Sequence, residues 1–238
     1  AVAARRLGAR VAFVGRVGDD GQGKRIRDSF LDEGIDLSHL IVDEEAATGV
    51  ALILVDRAGQ NMISVASGAN QRVTVDDVRD AAALFDSVDV VVSQLEIPLD
   101  AVSLALAMAR DRGITTVLNP APARPIPDDI VRLADWLTPN EFEASTLTGL
   151  TVVDRASAGA AAQVLLDRGT GGVVVTLGDR GALLVTRDGA TSVDAVDVKA
   201  IDATAAGDAF TGAFAVGLAL GLPPPKALAY ANAAGGLT

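Results

Sequence analysis

The chain has 238 residues, half of them hydrophobic, a formal charge of −11 and no cysteine. That length suits one large α/β domain with a buried core, and the missing cysteines exclude disulfides, thiolate metal sites and a thiol nucleophile. An acidic chain with no Lys/Arg cluster longer than Arg5-Arg6, one Trp and one Tyr offers neither the basic stripe nor the stacking surface that nucleic acid requires.

No window reaches the roughly 18 uninterrupted apolar residues of a membrane span. The opening stretch AVAARRLGAR carries Arg but no apolar core or cleavage site of a secretory signal. The expectation is a cytoplasmic enzyme without a membrane partner. Any anionic ligand must then be held locally, by backbone and a few side chains.

In chain order, Val11–Val17 is the first strand-like apolar run. It leads into VGRVGDDGQGK, with Gly15, Gly18, Gly21 and Gly23. That stretch lacks both G-x-G-x-x-G and the G-K-[ST] of a P-loop, so it does not read as a dinucleotide site. His39, the single histidine, falls in a polar stretch read as a loop, which leaves a Ser-His-Asp mechanism without support. TGVALILVDRAGQNMISVA (48–66) reads as two strands around a turn at Asp56-Arg57-Ala58-Gly59, either a flap projecting from the main domain or an ordinary edge hairpin. Thr74, with Asp77 three residues later, opens a helix with a capping-box pattern.

Further strands are expected at Val88–Leu95, Ile114–Leu118, Trp136–Thr138 and Val173–Leu177, with Ala/Leu-rich helical patterns at Leu99–Arg112 and Arg155–Arg168. Strands alternating with helices predict right-handed crossovers and a mainly parallel sheet, with helices on both faces. The near-continuous apolar strands suit burial on both sides. Paired acids at 19–20, 76–77 and 128–129 belong at turns and helix starts, where the helix dipole favours carboxylates.

Four places carry candidate chemistry. Glu96 ends an apolar strand, where it either binds sugar hydroxyls or marks a loop. Asn140 and Glu143 stand three apart at a helix start, suited to hydrated Mg²⁺ or phosphate contacts or, equally, to a capping box. VVVTLGDRG brings Thr176, Leu177, Gly178, Asp179, Arg180 and Gly181 to the end of a buried strand. Open α/β sheets bind nucleotides at that end, although a plain strand-turn-strand reads as well.

DATAAGDAF (202–210) is the most informative. Phe210, Ala213, Phe214, Gly217 and Leu218 fit one helical face, ended by Gly221 and Pro223 to Pro225. Ala205, Ala206 and Gly207 therefore form a helix N-terminus whose bare N–H groups suit an anion. Asp208 beside them can take a proton from a hydroxyl while the N–H groups hold the phosphoryl group under attack. The bland alternative is an acidic first-turn residue on an ordinary helix.

DATAAGDAFTGAFA (202–215) resembles the second signature of the ribokinase/PfkB family of sugar kinases, except at Ala203, where Thr or Ser is usual. TGVALI (48–53), QLEIPL (94–99), LNPAPA (118–123), TPNEFEASTLTG (138–149) and TLGDRG (176–181) resemble the ribokinase branch, in order along essentially the whole chain. The resemblance implies ATP-dependent phosphorylation of D-ribose to ribose 5-phosphate, or of another sugar or nucleoside; a non-catalytic nucleotide-binding remnant is the contrasting reading. It implies Asp208 as general base and Ala205, Ala206 and Gly207 as anion hole. Asn140, Glu143, the Thr176–Gly181 turn, Gly207 and Asn232 would serve ATP with Mg²⁺. Glu96 would bind the sugar, and Asp202 and Thr204 would help hold an activating K⁺. Residues 48–66 would supply strands of a lid that also builds a homodimer. Measured against the family pattern, the chain resembles a single ribokinase-like α/β domain shortened at both ends, beginning just after the Gly-Gly-x-Gly-x-Asn sugar loop.

Overall fold

The computed structural model describes residues 1–55, 61–198 and 205–237. A short helix α1 (Val2–Arg6) precedes β1 (Ala12–Gly18), and α2 (Gly21–Asp32) carries the chain across to β2 (Asp36–Asp43), which pairs with β1 in parallel. Asp20 caps α2 by accepting from Gly23 N–H at 2.8 Å. His39 is not in a loop but in β2, opposite Val14. Asp36, Ser38 and His39 gave the segment a polar look, yet β2 hides its even-spaced neighbours Leu37, His39 and Ile41 more than Asp36 and Ser38. Period-two alternation outweighs composition there.

β3 (Val50–Val55) and β4 (Asn61–Ala66) form the expected antiparallel hairpin, in register from Val50↔Ala66 to Val55↔Asn61. The turn expected at 56–59 lies outside the described residues. The base of the hairpin is tied down at several points. Asp20 Oδ2 accepts from Thr48 N–H at 2.8 Å, Oδ1 accepts from the Thr48 hydroxyl at 2.8 Å, and Gly18 N–H donates to Thr48 Oγ1 at 2.9 Å. The Gly23 N–H and the Thr48 donors together draw the Asp20 carboxyl down to about 2. Gly23 is required: a Cβ would stand 2.1 Å from the Gly18 carbonyl oxygen. On the far side, Arg16 grips Asp77 at 2.7 and 2.8 Å and Asp43 at 3.0 Å, while Arg72 reaches Asp43 and Glu45, each at 2.7 Å. Asp77 also closes the expected capping box with Thr74 at the start of α3 (Val75–Asp80).

The rest alternates as expected: β5 (Val90–Ser93), α4 (Leu99–Arg110), β6 (Thr115–Leu118), α5 (Asp128–Val131), β7 (Trp136–Leu137), α6 (Glu141–Thr148), α7 (Arg155–Asp167) and β8 (Gly172–Thr176). β9 (Ala182–Thr186) and β10 (Gly189–Val193) then double back as antiparallel strands, and α8 (Ala206–Ala219) and α9 (Pro224–Gly236) follow. The resulting sheet has the order β10-β9-β8-β7-β6-β5, parallel from β5 to β8. On one face Val173, Val175 and Leu137 pack against Leu106, Ala144, Ala161 and Leu165 of α4, α6 and α7. On the other, Val174 and Leu184 meet Phe210, Phe214 and Leu228 of α8 and α9. Helices therefore cover both faces, and the parallel strands β6 and β8 are buried on both.

α8 departs from the single apolar face expected of it. Its nine consecutive residues from Ala209 to Gly217 are all buried, because the sheet, α9 beside it and α1 together enclose α8. The Ala/Gly composition makes this possible: a Cβ on Gly217 would stand 2.9 Å from Ala227 Cβ on α9. Trp136 packs edge-on against Phe214 at 5.3 Å, and burying a ring as fully as Phe214 contributes roughly 1.5–3 kcal/mol. Gly221, with φ +70°, turns the chain out of α8, and Pro223 leads into α9 with Pro224 at its first position. Among the described residues no helix is long and apolar enough to cross a membrane.

Candidate active site

The parallel strands β6, β7 and β8 deliver their C-terminal ends to one place. Asn119 follows β6, Thr138 and Asn140 follow β7, and Thr176 ends β8. Thr176 N–H donates to the Pro139 carbonyl at 3.0 Å, so the last residue of β8 lies beside the start of α6. The N-terminus of α8 closes the arrangement. A pocket of about 150 Å³ results, lined by Asn119, Ala121, Thr138, Asn140, Glu143, Thr176, Ala205, Gly207 and Asp208. A crevice at the carboxyl ends of parallel strands is where open α/β sheets take ligands.

The α8 N-terminus is shaped for an anion. Ala205 is the one non-glycine residue with positive φ among those described, at φ +65° and ψ +4°, and Ala206 begins the helix directly after it. A left-handed residue followed by a right-handed one turns successive N–H groups toward a common centre, and a left-handed conformation costs an alanine roughly 1–2 kcal/mol. Gly207 adds open space: among the described residues, no atom outside its own neighbourhood lies within 4 Å of where a Cβ would stand.

Asn140 and Glu143 do form a capping box, with Asn140 Oδ1 accepting from Glu143 N–H and Glu143 Oε2 accepting from Asn140 N–H, each at 2.8 Å. Both also line the pocket, so capping does not remove them from the candidate site. Each side chain gives one oxygen to the cap, which leaves the Asn140 amide NH₂ and the second Glu143 oxygen for a ligand. Burial pushes the Glu143 carboxyl up from its ordinary 4.5, against the Asn140 N–H that holds it down, and the Asp208 carboxylate raises it further. Glu96 is likewise raised, first by desolvation and then by Asp208. The three carboxyls thus share one field, although Glu96 lies outside the pocket lining.

This coupling gives a stability prediction. A carboxyl whose folded pKa is raised opposes folding once it ionises, an effect absent below its unfolded pKa and complete above its folded one. Glu143→Gln keeps both cap hydrogen bonds and removes the charge. Its urea midpoint should exceed wild type at pH 7 to 8, by an amount that vanishes near pH 4. A gain that persists at pH 4 would locate its origin elsewhere.

The family model described as pfkB family carbohydrate kinase matches residues 1–238. The chain belongs to that family. Within the pfkB family, it is similar to a ribokinase of Haemophilus influenzae, 43% identical over 218 residues, covering 92% of this chain and 71% of the relative. It is also similar to a deoxyribokinase of Salmonella typhi, 36% identical over 216 residues, covering 90% and 71%. Among solved structures, the Arabidopsis thaliana ribokinase complexed with ribose and ATP superposes with a TM-score of 0.90 at 29% identity, covering all of this chain and 78% of that one.

In this pfkB-family chain the remaining candidate residues divide. Of the Thr176–Gly181 stretch, Thr176 lines the pocket, whereas the Leu177 side chain is fully buried in the core. Gly178, Asp179 and Arg180 make an exposed 3-10 turn. Gly181 has φ +82°, and a Cβ there would stand 2.0 Å from the Val193 carbonyl oxygen. Arg180 is held by the Glu141 carboxylate and the Val153 carbonyl, and Arg155 reaches back to the Arg180 carbonyl at 2.7 Å and to Asp194. Asn232 Nδ2 donates to the Asp194 carbonyl at 2.9 Å, so it faces the same segment as Gly181. Asp202 and Thr204 lie outside the described residues. Sequence reasoning assigned no role to Asn119 and Thr138, although both fall in the quoted stretches LNPAPA (118–123) and TPNEFEASTLTG (138–149).

Proposed function

We propose that this chain phosphorylates D-ribose to ribose 5-phosphate at the expense of ATP. The observation that carries the reading is the meeting of Asp208 with the N–H cluster of Ala205–Gly207 in one pocket with Asn140, Glu143 and Thr176. The similarity to ribokinases supports the choice of sugar. Phosphoryl transfer needs positioning, charge stabilisation and one base. In this reading Asp208 accepts the proton of the sugar's terminal hydroxyl, and the N–H groups of Ala205, Ala206 and Gly207 hold the phosphoryl oxygens as charge shifts through them.

Asn140, Glu143, Thr176 and the turn through Gly181 hold ATP, and Asn232 sits toward its base. Glu96 takes a sugar hydroxyl. An ATP-dependent kinase uses Mg²⁺ with its nucleotide. Among the described residues no group of three or more acids and histidines is placed to hold a metal, which suits an ion that arrives on the phosphates and keeps several waters. Glu143 then acts on the hydrated ion. Asp202 and Thr204 contribute to a K⁺ site that activates turnover. The β3–β4 hairpin serves as lid over the sugar and as homodimer surface; Val50, Leu52 and Val65 already stand exposed on it.

The similarity to a deoxyribokinase favours one second reading, in which the sugar lacks the 2-hydroxyl. Purified protein with Mg-ATP should release ADP and make ribose 5-phosphate, with kcat/KM for D-ribose above that for 2-deoxyribose. Preference for the deoxy sugar supports the second reading, and no sugar-dependent ADP release removes both.

A further inference from the structure

Thr138 and Thr211 are buried, and their hydroxyl oxygens lie 3.2 Å apart, close enough for either to donate to the other. A buried hydroxyl is costly unless bonded, and this pair satisfies itself across two elements. Thr138 follows β7; Thr211 lies inside α8, three residues after Asp208. Asn119 backs the pair by donating from Nδ2 to the Thr138 carbonyl at 2.7 Å and approaching Thr138 Oγ1 at 3.4 Å. Asn119 N–H is bonded in turn to the Ser93 carbonyl, and Thr138 N–H to the Leu118 carbonyl. A line of polar contacts therefore runs from the ends of β5, β6 and β7 into the first turns of α8.

The remaining buried surface of α8 is apolar and built mostly of Ala, Gly and Phe. Apolar contact is non-directional, and apart from Phe210 and Phe214 the small side chains add little resistance to sliding or rotation about the helix axis. A hydrogen bond has both a distance and an angle to satisfy. Residues three apart share a side of a helix, so whatever fixes Thr211 fixes the aspect of Asp208 as well.

We infer that Thr211 and Thr138 are positioning residues for phosphoryl transfer: their hydrogen bond, backed by Asn119, sets the height and rotation of α8 so that Asp208 and the N–H groups of 205–207 face one point in the pocket. The role rests on the kinase reading proposed above. Thr211 does not line the pocket, so its removal takes no ligand contact with it.

Thr211→Val keeps the shape and loses the bond, and Thr211→Ser keeps the bond. With D-ribose and Mg-ATP, Thr211→Val should lose roughly tenfold in kcat with both KM values within about twofold, and Thr211→Ser should restore kcat to within about twofold of wild type. Amide hydrogen exchange at 209–212, the first hydrogen-bonded turn of α8, should be about tenfold faster in Thr211→Val and unchanged in Thr211→Ser. Thr138→Val breaks the same bond from the other side and should reproduce the exchange change. Normal kcat in Thr211→Val, or exchange at 209–212 equal to wild type in both valine variants, would overturn the inference. If the wild-type protein phosphorylates neither sugar, the kinase reading has failed, and the exchange comparison still decides whether this bond holds the helix.

Discussion

Asp208→Asn should fold as wild type does, bind Mg-ATP normally and lose roughly 10²–10⁴ in kcat, the scale on which a general base contributes. Asparagine matches aspartate in shape but cannot take the proton of a sugar hydroxyl. The fold has little to lose. Asp208 is exposed and makes no ion pair among the described residues; its charge favours the Ala1 ammonium and raises the Glu96 and Glu143 carboxyls. Removing that charge relieves both, so the denaturation midpoint at pH 7 should equal or exceed wild type. Steady-state kinetics beside urea denaturation test this. A variant that keeps more than about a third of wild-type kcat would remove Asp208 from the role of base.

Gly207→Val is the second large effect, and it separates chemistry from stability in the same way. Among the described residues nothing outside its own neighbourhood stands within 4 Å of a Cβ built on Gly207, and Gly207 lines the pocket. A valine side chain there fills the approach to the N–H groups without striking the rest of the protein. Losing one such donor costs about 3–4 kcal/mol in the transition state, or roughly 10²–10³ in kcat. Valine is also a better helix former than glycine, so the urea midpoint should hold or rise. A lowered midpoint with normal turnover would make Gly207 a purely structural residue.

The legible parts of this chain are local. β1, β5, β6 and β8 announce themselves as apolar runs, and the Thr74–Asp77 cap needs only four residues to be recognised. Asp208 and Gly207 could be named as candidates for the same reason: they are contiguous with Ala205 and Ala206 at the start of one helix. What escaped is what distance creates. β2 hid behind Asp36, Ser38 and His39 because its partner strand lies 24 or 25 residues earlier in the chain. The full burial of α8 depends on α9 and α1 packing against it as well as the sheet. Asn119, Thr138 and Thr211 meet through parallel register and helix packing, which no short window of sequence contains. The tie of Arg180 to Glu141, 39 residues away, likewise appears only in three dimensions.

The left-handed conformation at Ala205 bears on how sharply the proposed anion site is defined. Glycine would occupy that region without strain, and would also roam over much more of φ/ψ space around it. An L-residue has only a small left-handed well. Having a Cβ at 205 therefore narrows the thermal spread of the peptide planes on either side, and with it the directions in which their N–H groups point. Donors stabilise a transition state most when they need no reorientation as charge develops. The strain at Ala205 and the small range of motion it permits are two aspects of one steric fact.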